Sequence, residues 1–151
     1  MTEIPEVEHS REPTLTFFRE YTQQHKSFLQ GKIVCDLSAG RGYIANLFEH
    51  SESIVKAFDL FPDQNKFATQ VQKIDLQQKF PIADGSIDLT LCCETIEHLP
   101  NQYFLFQEVA RILKPGGIFI LTTPNSSSLR SRFSQFMMES EHYSAPAPNE
   151  L

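Results

Sequence analysis

Short apolar runs alternate with stretches of helical periodicity along most of this chain. After Pro13, the residues Leu15, Phe18, Tyr21, His25, Phe28 and Leu29 recur at helical spacing, which predicts a helix to about Gln30, ended by Gly31. Residues 33–37 (IVCDL) form an apolar run flanked by glycine-bearing sequence and read as a buried strand. Ile44, Ala45, Leu47 and Phe48 resume the helical period. Residues 54–59 (IVKAFD) predict a second strand, with Pro62 placed for the first turn of a following helix. A third strand is expected over 71–75 (VQKID), a loop over 80–86 (FPIADGS), and a fourth strand over 87–93 (IDLTLCC). A helix from about Asn101 to Leu113 follows, carrying Phe104, Val109, Ile112 and Leu113 among its apolar residues. Lys114-Pro115-Gly116-Gly117 reads as a turn, and 118–123 (IFILTT) as a fifth strand.

Strands and helices in alternation at this spacing imply βαβ units and a parallel sheet covered on both faces. Because such crossovers are right-handed, the expected fold is α/β, a Rossmann-like doubly wound sheet. Residues 1–13 are expected to be a flexible N-terminus, 14–125 the folded domain, and 126–151 a partly helical or disordered tail.

Composition narrows the function classes. A chain of 151 residues is sized for one domain, and 13 Lys and Arg against 19 Asp and Glu leave a net charge of −6. No stretch clusters basic residues with aromatics, so no nucleic-acid partner is expected. No apolar run approaches the roughly 18 residues of a membrane span, and Glu3, Glu6 and Glu8 oppose a signal peptide's basic start. No membrane partner is expected and a cytoplasmic location is the default. The cysteines Cys35, Cys92 and Cys93 match no zinc spacing and fall in apolar runs, so they are read as buried hydrophobes with no metal and no disulfide.

The chemistry-bearing positions gather at strand ends. Asp36-Leu37-Ser38-Ala39-Gly40-Arg41-Gly42 links the first strand to a helix. Small residues there let the backbone approach a ligand, and amides at the helix start favour an anionic group. The dinucleotide fingerprint fits poorly, since Ser38 and Tyr43 occupy its outer glycine positions. Asp59 ends the second strand, where a carboxylate can accept both hydroxyls of an adenosine ribose. Asp75-Leu76 ends the third, offering an acceptor and an apolar surface to an adenine. Cys92-Cys93-Glu94, with Glu97-His98 close behind, ends the fourth. All four features lie on the carboxyl edge of the predicted sheet, where open α/β sheets bind ligands.

These segments resemble the class I S-adenosylmethionine-dependent methyltransferases of the small-molecule type. IVCDLSAGRGYIANLFE is similar to the family's motif I, VKAFDL to its ribose-binding strand, and KIDLQQKFPIADGSIDLTLCCETIEHL to the adenine loop and fourth strand. LKPGGIFILTTPN resembles the turn and fifth strand, and the match runs from about Ile33 to Asn125. The resemblance implies S-adenosylmethionine as cofactor. Asp36 and the backbone of Ser38, Ala39, Gly40, Arg41 and Gly42 would surround its methionine part, Asp59 and Leu60 would hold ribose and flank adenine, and Asp75 and Leu76 would meet the adenine edge. A backbone carbonyl at Cys92 or Cys93 would accept from the methionine ammonium. Ser38 and Ala39 stand where Gly and Cys are common, which costs little if Ser38 has a negative φ and strains it otherwise.

The implied reaction is in-line methyl transfer to a small-molecule O, N or C acceptor, driven mainly by positioning. His98 is a candidate base, its unperturbed pKa of about 6.5 suiting the task; the competing reading has Glu97 and His98 ordering a helix junction. Glu94 and Tyr21 are further candidates for the pocket. Two alternatives stay open: a non-catalytic adenosyl-binding or scaffold protein of the same fold, and a nicotinamide-dependent oxidoreductase. The family's sheet has seven strands and five are counted here, in the expected order 3-2-1-4-5, so the chain reads as C-terminally truncated. The fifth strand is then an apolar edge open to self-association.

Overall fold

A computed structural model of the chain describes residues 12–124; residues 1–11 and 125–151, where the flexible N-terminus and the tail are expected, lie outside the described residues. The apolar stripe before Gly31 forms two helices, α1 (Glu12–Gln24) and α2 (Lys26–Leu29). Helical hydrogen bonds run through the junction, His25 N–H to Tyr21 O at 3.0 Å and Leu29 N–H to His25 O at 2.9 Å. The break is therefore a kink in one amphipathic stretch, and it leaves both Phe18 and Leu29 fully buried.

The five strands are β1 (Ile33–Asp36), β2 (Ile54–Asp59), β3 (Val71–Lys73), β4 (Ile87–Cys93) and β5 (Leu113–Thr122). They form one parallel sheet in the order β3-β2-β1-β4-β5, as expected. Alternate residues feed two core layers. Val34, Leu89, Leu91 and Cys93 pack against Phe18 of α1, Leu29 of α2 and Phe48 of α3 (Tyr43–His50). Cys35 and Cys92 face the other way, onto Leu105, Val109 and Ile112 of α4 (Gln102–Ile112) and onto Ile74, Leu76, Phe80 and Ile82 of the loop before β4. A small-residue cluster of Ala39, Ala45, Ala57 and Ala68 lets α3 and its flanking loops close on β2. The Asn101 side chain caps α4 by accepting from Phe104 N–H at 3.2 Å.

Two connections depart from the sequence reading. The helix expected after Pro62 is a single 3-10 turn, Pro62–Gln64, and β3 is shorter than expected. Residues 60–70 are too few to cross the sheet as a packed helix, since parallel crossovers take a dozen or more. The segment instead folds back onto the loop after β1: Lys66 and Phe67 donate to the Arg41 carbonyl at 3.0 and 3.1 Å. Lys114–Gly117 is the other departure, a bulge inside β5 rather than a turn before it. Ile87 pairs with Leu113 and Leu89 with Ile118, so the four residues stand opposite Asp88 alone and β5 carries three residues of extra length. A side chain at Gly117 would place its Cβ 2.9 Å from the Lys114 carbonyl.

Two polar clamps fix the sheet and its covering loop. Asp88, at the amino end of β4, accepts from Ile33 N–H at 2.9 Å and from Lys114 Nζ at 2.8 Å, with Lys32 Nζ at 3.8 Å. It ties β1, β4 and β5 together; desolvation opposes its charge, but the Lys114 and Ile33 hydrogen bonds hold the carboxyl below the usual range. Glu108 and Arg111 of α4 grip the loop before β4. Glu108 accepts from Phe80 N–H at 2.8 Å and from Arg111 Nη2 at 2.6 Å, while Arg111 donates to the Ile82 and Phe80 carbonyls.

Candidate functional site

The loop from Asp36 to Gly42 is stitched to both neighbouring strands. Leu37 N–H donates to Leu91 O at 3.0 Å on β4, and Ala39 N–H to Phe58 O at 2.9 Å on β2. Gly40 N–H donates to Asp59 Oδ2 at 2.7 Å, and the other Asp59 oxygen accepts from Phe61 N–H at 2.8 Å. Ser38 N–H donates to Asp36 Oδ1 at 3.2 Å, and Gly42 N–H to Ala39 O at 2.7 Å. These amides, expected to be open to an anion, are therefore spent inside the loop, which leaves them unable to cradle a phosphate as they stand. Glycine is required at Gly42: its φ is +86°, and a Cβ there would lie 2.4 Å from Asn65 Oδ1 and 2.6 Å from Ala68 N.

Ser38 is not among the positive-φ residues, so the missing glycine of the motif carries no backbone strain. Its hydroxyl has a task instead, accepting from Cys93 N–H at 2.9 Å and donating to Cys93 O at 3.2 Å. Thr95 Oγ1 donates to the same carbonyl at 2.9 Å. The next residue, Glu94, has φ +50°, a left-handed conformation that costs a non-glycine residue about 1–3 kcal/mol. Its N–H is held by Thr122 O at 3.0 Å.

A cavity of about 380 Å³ opens above this edge of the sheet. Of the residues expected from sequence, Ser38, Ala39, Gly40, Asp59, Cys93 and Glu94 line it. Asp36 lies beneath, 1% exposed, with Oδ2 unpartnered. Burial raises its pKa to about 7, the Ser38 N–H working against the rise and the Asp59 carboxylate adding to it. Gly42, Leu60, Asp75, Leu76 and Cys92 are not on the cavity wall. Asp75 is exposed and caps its own turn, accepting from Gln77 N–H at 2.9 Å, while Leu76 is in the core. Burial pushes the Cys92 thiol up to about 12 and raises Cys35 and Cys93 as well, which keeps all three protonated. His98 lies off the wall with its side chain 77% exposed, 3.7 Å from Glu97, and Tyr21 packs in the core layer under α1.

Sequence reasoning missed the remaining wall. Thr14 and Leu15 come from α1, Tyr43 and Ile44 from the start of α3, Gln64 from the 3-10 turn, and Thr95 follows Glu94, while Arg41 belongs to the Ser38–Gly42 loop already expected there. The available signal was topological: an amphipathic helix preceding β1 has to cover something, and its first turn covers the cavity. Tyr43 stacks on Phe67 with centroids 4.1 Å apart, and the Arg41 guanidinium lies 5.8 Å from the Tyr43 ring. Among the described residues no group of three or more His, Cys, Asp or Glu is placed to hold a metal ion, and no helix is long and apolar enough to cross a membrane.

A parallel sheet in this order, a small-residue loop after β1 and a carboxylate at the end of β2 on a cavity wall together define an α/β domain of the doubly wound, Rossmann-like class. Within that class, residues 35–121 match the methyltransferase domain family, and the chain belongs to that family. The ubiquinone biosynthesis O-methyltransferase of Xanthomonas campestris pv. campestris is 32% identical over 110 residues, 64% of this chain and 45% of that protein. The corresponding enzyme of Paracidovorax citrulli is 27% identical over 111 residues, 66% of this chain and 47% of its own length. The chain thus spans less than half the length of these relatives. A SAM-dependent methyltransferase structure from Archaeoglobus fulgidus superposes with a TM-score of 0.68, covering 92% of this chain and 64% of that one, at 23% identity, a likeness of fold.

Proposed function

We propose that this chain binds S-adenosylmethionine and serves methyl transfer to a small-molecule O, N or C acceptor. The observation that carries the reading is Asp59 on the wall of a cavity above a loop whose Leu37, Ser38, Ala39, Gly40 and Gly42 amides are already satisfied. A pyrophosphate needs free amides, whereas a nucleoside needs an acceptor for its ribose hydroxyls, and Asp59 keeps lone pairs for that role. This also weighs against the nicotinamide alternative. Asp59 would hold ribose; Ser38, Ala39, Gly40 and Cys93 would flank the methionine part. Gly42 would serve by keeping the loop's shape, and Asp36 by its charge from below. The bound sulfonium supplies an activated methyl group. The protein's share is to fix the acceptor in line and exclude water, with the first turn of α1 forming part of the roof over the cavity.

The test is a thermal melt with S-adenosylhomocysteine and S-adenosylmethionine. A ligand that binds only the folded state raises stability by RT ln(1 + [L]/Kd), so the midpoint climbs with concentration. A flat response to millimolar ligand in a folded sample overturns the reading. Asp59→Ala is expected to weaken binding by roughly 1–3 kcal/mol. Since Asp59 also holds Gly40 and Phe61, its fold is checked by circular dichroism first. Binding without methyl transfer to any acceptor, in the protein with all its segments, would favour the scaffold alternative.

A further inference from the structure

The cavity wall carries more than the cofactor reading uses. Leu15, Tyr43 and Ile44 belong to α1 and α3, the two helices that cover one face of the sheet. The Arg41 side chain leans toward the same helices, its guanidinium 5.8 Å from the Tyr43 ring and 6.0 Å from the Phe67 ring. Those rings stack on each other at 4.1 Å. Lodging against an aromatic face holds a guanidinium in place and leaves its N–H edge for an acceptor. Arg41 has no such acceptor. Its side chain makes no hydrogen bond or salt bridge among the described residues, whereas Lys32, Lys114 and Arg111 all reach carboxylates. Arg41 Nε is buried without a partner, and so is the hydroxyl of Tyr43. The two carboxylates on the wall, Asp59 and Glu94, do not pair with it, and both Asp59 oxygens accept from backbone amides. Nor does the loop need this side chain, since the Arg41 backbone is fixed by Lys66 and Phe67 donating to its carbonyl. A cavity-lining cation is thus held in position with its donors unspent.

We propose that the Arg41 guanidinium receives a carboxylate of the methyl acceptor, so that the cavity selects an acceptor with an apolar body and a single acidic group. The inference rests on the reading that S-adenosylmethionine occupies the part of the cavity lined by Asp59, Ser38–Gly40 and Cys93. A guanidinium matches a carboxylate two-pronged, and such charge-assisted contacts exceed those made to a neutral amide of the same shape. Charge balance limits the ligand to a monoanion. Arg41 is the one cation among the described wall residues and faces the carboxylates of Asp59 and Glu94, which repel a doubly charged phosphate ester. The β1 loop amides that could share such a charge are already spent on the loop. Leu15 and Ile44 offer apolar surface for the body of the acceptor, and the Tyr43 hydroxyl is a second donor at the acidic end. Anchoring that end beside α3 while Asp59 and the loop hold the cofactor fixes the distance from the acid to the atom that takes the methyl group, which is a positioning effect.

The probes are phenylacetate and its neutral isostere phenylacetamide. Each is titrated calorimetrically into protein saturated with S-adenosylhomocysteine, so that the cofactor's own carboxylate is already seated. The acid is expected to bind roughly tenfold more tightly than the amide, with added salt weakening the acid alone. Arg41→Gln should bring the two affinities together, and Arg41→Lys, which keeps the charge without the fork, should retain part of the preference. Both variants should bind S-adenosylhomocysteine as the wild type does. Should Arg41→Gln not fold, the acid-to-amide ratio of the wild type and its salt dependence carry the test. An acid that binds no better than the amide, or a preference that survives Arg41→Gln, overturns the inference. So does a loss of S-adenosylhomocysteine affinity in Arg41→Gln, because the guanidinium then serves the cofactor's carboxylate. In all three cases the cofactor reading stands. If S-adenosylhomocysteine does not bind the folded wild-type protein, both fall.

Discussion

Replacing Arg111 by methionine removes the positive half of the clamp that fastens the loop before β4 to α4. Arg111 Nε and Nη2 lie 2.9 and 2.6 Å from the two oxygens of Glu108, and Nη1 lies 2.8 Å from the Ile82 carbonyl. The two side chains are 19% and 10% exposed, so the pair is mostly but not wholly dry. Breaking one half of a buried pair costs about 3–5 kcal/mol because the survivor keeps an uncompensated charge. Residual water lowers that figure, and the exposed partner Asp84 adds under about 1 kcal/mol. The expected loss is about 2–4 kcal/mol, a large fraction of a small domain's stability. Urea titration followed by far-ultraviolet circular dichroism measures it. Hydrogen bonding to Arg111 lowers the Glu108 pKa, so the clamp's contribution is present above the usual carboxylate range and is lost as pH falls through the folded value. The variant's deficit should therefore shrink toward pH 4. A double variant, Arg111→Met with Glu108→Met, leaves no stranded charge but strands the Phe80 N–H and the Phe80 and Ile82 carbonyls, so it should stay about 1–3 kcal/mol below wild type while losing less than the sum of both singles. A single-variant cost under about 0.5 kcal/mol, or a double variant as unstable as the sum of both singles, would falsify the argument.

Gly42→Ala is expected to cost more than Gly85→Ala in thermal melts. Both glycines have positive φ, +86° and +56°, but only Gly42 would press a Cβ into Asn65 and Ala68, whereas Gly85 faces open space. The open site should lose about 1–2 kcal/mol; equal losses would show that the Asn65 turn yields freely. Asp36→Asn should also flatten the pH dependence of stability. The folded pKa lies above the ordinary 3.8, so the wild-type advantage is full below that value and is lost as pH rises through about 7. The variant should gain on wild type by about 3–4 kcal/mol between pH 4 and 8 in denaturant titrations, and an unchanged difference would place the proton elsewhere. Asp88→Asn, which keeps an acceptor for Ile33 but loses both lysines, should cost about 1 kcal/mol, less in high salt by the same assay.

The sheet was legible in the sequence because its two central strands are buried on both faces. β1 and β4 are continuous apolar runs, and the helices between them keep a clear period. The connections were harder. Pro62 is a good first residue for a helix, but the length of the crossover, a non-local constraint, decides whether one forms. Lys-Pro-Gly-Gly has turn chemistry, yet its residues sit inside a ladder whose register is set by β4. For the site, Asp59 and the Ser38–Gly40 backbone were readable from strand ends and glycine spacing. Asp75 has the same strand-end signature and lies on the surface, because β3 stops at Lys73 and the chain turns. The roof was illegible, since Thr14 and Leu15 look like any first turn of a helix until the sheet brings them over the cavity.

The Tyr43–Phe67 stack gives the protein an optical reporter of its own. The chain has no tryptophan, so its intrinsic emission comes from four tyrosines. Tyr43 stands on the cavity wall, while Tyr21 is in the core layer and Tyr103 is 70% exposed on α4; Tyr143 lies outside the described residues. If the proposed nucleoside ligand occupies the cavity, it changes the surroundings of Tyr43 on the wall, whereas Tyr21 and Tyr103 stand off the wall. Ligand arrival can then be timed by stopped-flow fluorescence with no dye attached, and Tyr43→Phe supplies the silent control.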